Sequence, residues 1–138
     1  MWDKNFRLVI ISAIYQNFIE ESIDIHDLID WQFISDQCKL DCNNDFSSLE
    51  TMYTIFLSRK AGLVNSIETL LPHWDRTFDI VKAILLSCLL EVEAVNCIED
   101  NDKKKIISKH VNIAQEIVGG ENPSLVYAVL RKLLAVSM

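Results

Sequence analysis

The run Ala83-Ile84-Leu85-Leu86-Ser87-Cys88-Leu89-Leu90-Glu91-Val92 constrains the fold more than any other segment. At the period of an α-helix its apolar side chains occupy most of the circumference, so such a helix has to be surrounded by other elements. The pattern predicts a central helix from about Phe78 to Glu93. Membrane burial is excluded, because uninterrupted apolar runs, such as Ala83 to Leu86 and Leu8 to Ile11, fall far short of the roughly 18 residues a spanning helix needs. The 138 residues, half of them hydrophobic, suffice for one core and predict a single domain over 1–138.

Those elements read as helices. Only 3 glycines and 2 prolines interrupt the chain, too few for a many-turned β-sandwich. From about Asn5 to Glu20, Phe6, Val9, Ile10, Ala13, Ile14 and Phe18 recur at spacings of three and four and make one apolar stripe. Ile25, Leu28, Ile29 and Phe33 form a shorter pattern behind Asp24, a plausible N-cap. Polar residues from Asp36 to Asp45 read as a loop. Ser47-Ser48-Leu49-Glu50 has capping-box spacing, followed by a long stripe through Leu49, Met52, Tyr53, Phe56, Leu57, Leu63, Val64, Ile67 and Leu71 that Pro72 should end. Gly62 should loosen this helix.

Beyond the central helix, Asp100-Asn101-Asp102-Lys103-Lys104-Lys105 reads as a polar connection. Ile106, Ile107, Val111, Ala114, Ile117 and Val118 then predict a helix stopped by Gly119-Gly120, since glycine enters the left-handed conformation without a Cβ clash. Asn122-Pro123 offers an N-cap and a first-turn proline for a last helix to about Ala135, burying Leu125, Val126, Val129, Leu130 and Leu133. The expected class is all-α.

Chemistry-bearing motifs are sparse. Cys38 and Cys42 have the spacing of half a zinc site, but no second Cys or His pair follows at finger-like spacing, so no metal or cofactor is expected. With Cys88 and Cys97 they are expected to be reduced thiols. His26, His73 and His110 are isolated in sequence and the carboxylates are scattered, so neither a nucleophile–base pair nor paired-acid catalysis is indicated, and no enzyme activity is expected. No secretory hydrophobic region opens the chain, which suggests a cytoplasmic protein. The net charge of −7 opposes phosphate, so any nucleic-acid contact needs a local patch. Lys103-Lys104-Lys105 with Lys109 is the densest basic cluster, flanked by Glu99, Asp100 and Asp102.

Across the last three helices the chain resembles the NusB family of bacterial transcription antitermination factors. Lys82-Ala83-Ile84-Leu85, Glu91, Ile107, Val111, Ala114, Val126, Val129 and Leu130 match the family pattern in order and spacing. Ala13-Ile14-Tyr15 is similar to its Ala-Leu-Tyr, and Ser48 to Pro72 to its long third helix. The resemblance implies a NusB-like fold of about six or seven helices in two roughly perpendicular small bundles. It also implies binding of boxA-type RNA together with the ribosomal protein NusE, within the RNA polymerase antitermination complex that serves ribosomal RNA synthesis. A homodimer is left open, and the alternative is an adaptor with the same fold and little RNA affinity of its own.

The departures fall in the same blocks. Of the family's arginine-rich N-terminus only Lys4 and Arg7 remain, beside Asp3, and each lost phosphate contact removes a counterion-release contribution to affinity. The family's arginine after Ile-Leu is Leu86, its Asn-Gly is Tyr127-Ala128, and its aspartate after Val-Leu is Arg131. On this resemblance the RNA-contact residues would be Lys4 and Arg7 for phosphates, Tyr15 and Trp74 for stacking, and Arg76 as a further phosphate or base contact. The partner surface would lie around Glu116, Tyr127 and Arg131.

Overall fold

A computed structural model of the protein describes residues 2–19, 44–71, 73–96 and 99–135, with side chains of 44–47 excepted. The segment with Asp24, Ile25, Leu28, Ile29 and Phe33, the polar stretch to residue 43 and Pro72 lie outside these residues. Among the described residues every regular element is helical: α1 (Lys4–Ile19), α2 (Asn44–Glu68), a 3-10 turn (Trp74–Arg76), α3 (Asp79–Ala94), α4 (Asp100–Ile117) and α5 (Asn122–Leu133). The chain divides into two compact units, residues 2–60 and residues 61–138, and α2 runs through the boundary.

In the N-terminal unit α1 starts where Asp3 accepts a hydrogen bond from the Phe6 backbone N–H at 2.8 Å, satisfying one of the donors that a helix start leaves open. Phe6, Val9, Ile10, Ala13 and Ile14 are buried as the stripe predicts, and Ile11 and Asn17 join them. The first half of α2 answers with Leu49, Tyr53 and Phe56, the two rings stacked at 5.9 Å. The helix begins at Asn44, so Asn44 and Asp45 are helical rather than loop, and Ser47-Ser48 sit inside it instead of capping it. Leu57, which the sequence stripe includes, is half exposed. Gly62 causes no break; α2 continues to Glu68 and closes through Leu70 and Leu71 N–H bonds to the Ile67 carbonyl.

The C-terminal unit is built around α3. Every side chain from Val81 to Val92 is buried, including Lys82, Ser87 and Glu91. Helices α3, α4 and α5 pack against one another pairwise, so the all-round apolar helix is covered by two amphipathic neighbours. Helix α4 starts at Asp100, not after the lysines: Asp100 and Asp102 stand in its first turn, where carboxylates favour the positive end of the helix dipole. Polar composition there marks a solvated helical turn rather than a connection. The predicted stop holds. Gly119 and Gly120 adopt φ of 71° and 65°, and Gly119 N–H reaches back to the Ala114 carbonyl at 2.9 Å. Asn122 lies one residue inside α5 rather than capping it, and its side-chain amide donates to the Gly119 carbonyl at 2.9 Å. Val126, Val129 and Leu130 are buried, while Leu125 and Leu133 are half-buried at the edge.

Candidate functional site

On α1 the outward line runs through Lys4, Ser12, Tyr15, Gln16 and Ile19, all exposed. Lys4 and Tyr15 are eleven positions apart, so they share a face within about 20° and stand about 16 Å apart along the axis. This is the spacing at which a cation and a ring at 36% exposure could serve one extended strand. Arg7 does not share that face. It is buried, at 3% exposure, and so is not offered to a ligand as the exposed Lys4 is.

Trp74 and Arg76 belong to the other unit, on the 3-10 turn that follows α2. Trp74 is 6% exposed, and the Lys82 ammonium lies 5.0 Å from its ring centroid, a cation–π contact that occupies the face a base would need. The same ammonium stands 3.6 Å from Asp79. Trp74 therefore closes the core edge, while Arg76 remains exposed beside exposed Asp75.

Of the partner-surface residues, Glu116 is exposed near the end of α4. Tyr127, at 38% exposure, and half-buried Arg131 stand one turn apart on α5. Ala128 is exposed with them. Leu86 differs from these other departures from the family pattern, since it is fully buried in α3 and can only pack.

A polar arrangement that sequence inspection missed lies inside the C-terminal unit. Ser87 Oγ is 3.0 Å from His110 Nε2, and His110 Nδ1 is 2.9 Å from the Ile106 carbonyl. A carbonyl only accepts, so Nδ1 carries a proton, and in the neutral ring Nε2 accepts from the Ser87 hydroxyl. Both residues are 0% exposed, which leaves no approach for a substrate and makes the pair a structural bond between α3 and α4. The available signal was the position of His110 on the Ile106, Ile107, Ile113, Ala114 stripe. In the N-terminal unit Lys60 plays a comparable role at the surface: its ammonium donates to Asn17 Oδ1 at 2.8 Å and lies 4.9 Å from the Phe18 ring centroid. Asn17 also hydrogen-bonds Tyr53, whose hydroxyl burial nevertheless pushes above its ordinary pKa.

Among the described residues no three His, Cys, Asp or Glu side chains gather into a metal-binding group, and no helix is long and apolar enough to cross a membrane. Cys38, Cys42, Cys97 and His26 lie outside the described residues, and Cys88 is a buried free thiol. No protein-family model, curated protein or solved structure matches the chain.

Proposed function

We propose that the protein is a NusB-like antitermination factor, an assembly protein that holds boxA-type RNA together with the ribosomal protein NusE for the transcribing polymerase during ribosomal RNA synthesis. One observation carries the reading. The positions that resemble the family in α3, α4 and α5 fall on inward faces of three mutually packed helices: Lys82, Ala83, Ile84, Leu85, Glu91, Ile107, Ala114, Val126, Val129 and Leu130 are buried, and Val111 is half-buried. The residues that carry the resemblance are therefore packing positions of the C-terminal unit, and this supports the reading. On this reading the fold is NusB-like, the protein works in the bacterial cytoplasm, and it holds RNA without chemical turnover. Lys4 and Tyr15 on one outward line of α1 are the RNA contacts of the N-terminal unit, and Arg76 is a separate candidate contact in the C-terminal unit; Glu116, Tyr127 and Arg131 form the partner surface.

The burial of Arg7 and Trp74 favours a second reading. Two of the five expected RNA contacts are taken into the interior, and a NusB-fold adaptor with little RNA affinity of its own would retain only the protein-facing surface.

Titration of a labelled boxA-type RNA across a salt series, with the protein alone and with NusE, separates the readings. Binding in either case, weakened by Lys4→Ala with a shallower salt slope and by Tyr15→Ala by about 1–3 kcal/mol for one stacked base, supports the RNA role. NusE binding without RNA binding supports the adaptor. Failure to bind either sinks both.

A further inference from the structure

Between Asp102 and Glu116, α4 carries Lys103, Lys104, Lys105 and Lys109 and no carboxylate, in a chain whose net charge is −7. Lys103 turns towards the end of α5, its ammonium 3.5 Å from the Leu134 carbonyl. The other three are exposed, and none has a hydrogen-bond, ion-pair or ring partner among the described residues. Helical spacing places Ser108 and Asn112 between them, also exposed.

Lys105 and Lys109 are like charges four apart, which disfavours a helix, while Asp100 and Asp102 stand one turn before Lys104 and Lys105, a spacing that favours it. Beyond that first turn the exposed positions from Lys104 to Asn112 carry only cations and neutral hydrogen-bonding groups, so the face offers positive charge and donors together to an anionic chain. We propose that the outward face of α4 is a phosphate-contact surface for a single-stranded RNA, with Lys104, Lys105 and Lys109 neutralising backbone charge and Ser108 and Asn112 hydrogen-bonding phosphate or ribose oxygens.

The overall negative charge does not prevent this, because at physiological ionic strength fields fade over about 8 Å, and Lys109 stands about two turns beyond Asp102 on the helix. RNA fits better than a bilayer or an acidic protein. Exposed positions from Asn101 to Glu116 are all polar, whereas a membrane-surface helix or a protein interface needs apolar anchors. The proposal uses none of the residues assigned to RNA above and fails or succeeds separately from them.

The test is binding of a short labelled oligouridylate to the full 138-residue chain across a salt series. The triple variant K104Q/K105Q/K109Q should bind at least about tenfold more weakly at low salt, with a log–log salt slope shallower by about 2, at about 0.7 per lost phosphate contact on a single strand. K104R/K105R/K109R should bind as the wild type does. All three side chains are exposed, so the helical circular dichroism and thermal midpoint should be kept; single Lys→Gln variants, each lowering the slope by about 0.7, decide the matter if the triple variant fails to fold. An unchanged slope in the triple variant overturns the proposal, as does a wild-type protein that ignores oligouridylate at low salt. A loss confined to anionic vesicles or polyglutamate overturns it too. If Lys4→Ala and Tyr15→Ala abolish boxA-type binding while the triple variant binds normally, the α4 proposal falls and the assignment on α1 stands.

Discussion

The two units handle buried polarity in different ways. In the C-terminal unit the Ser87–His110 bond is enclosed completely, so both partners have given up water. In the N-terminal unit the Lys60–Asn17 bond sits at a partly wet edge, where a long flexible stem lets water replace a lost partner. The same kind of contact, a side-chain hydrogen bond between two helices, should therefore carry different weight. Distance does not distinguish them, at 3.0 and 2.8 Å; burial does.

The strongest challenge to that contrast is to the enclosed unit itself. Leu86→Ala removes a fully buried side chain from the middle of α3 and should cost about 2–5 kcal/mol in urea unfolding. A cost below about 1 kcal/mol would mean that the unit is loosely packed and the contrast unfounded. Next comes Ser87→Ala, which takes the buried hydroxyl away from His110 Nε2 and should cost about 1–3 kcal/mol. Adding His110→Leu should then cost less than the two single changes summed, because the two residues share this bond. Lys60→Ala should cost less than Ser87→Ala, about 0.5–1.5 kcal/mol, since removing the half-buried lysine opens the edge through which water can reach Asn17 Oδ1. Equal costs would erase the distinction between the units.

The smallest effect concerns pH. Burial raises the Tyr53 pKa, so the folded state holds this proton more tightly than the unfolded chain, whose tyrosines ionise near pH 10. Its contribution is intact below that value and is lost as pH rises through the folded-state pKa, because only the unfolded form releases the proton readily. Unfolding free energy measured from pH 8 upward should fall above about pH 10, and Tyr53→Phe should flatten that fall. A steeper alkaline loss in the variant would contradict the sign.

Much of the scaffold was legible because local periodicity reports local burial. The stripe Phe6, Val9, Ile10, Ala13, Ile14 marks the inward face of α1, and the unbroken run to Val92 marks α3 as enclosed. The candidate site was less legible. Arg7 reads as a cation near the chain start, yet it is buried at 3% exposure. Lys103 to Lys105 read as a connection because dense charge resembles a loop in sequence, although Asp100 and Asp102 make the same stretch a favourable first turn.

By itself the sequence determined the helical class, the central place of α3, and the stop at Gly119-Gly120, because each depends on a residue's own conformational range or on neighbours within a turn or two. Only the tertiary structure decided that Ser87 meets His110 across 23 positions, that Lys82 covers Trp74, and that Leu57 stays partly exposed. Those outcomes depend on which helices pack together and at what rotation. A single chain records that choice only as the balance of many weak contacts, so no local pattern announces it.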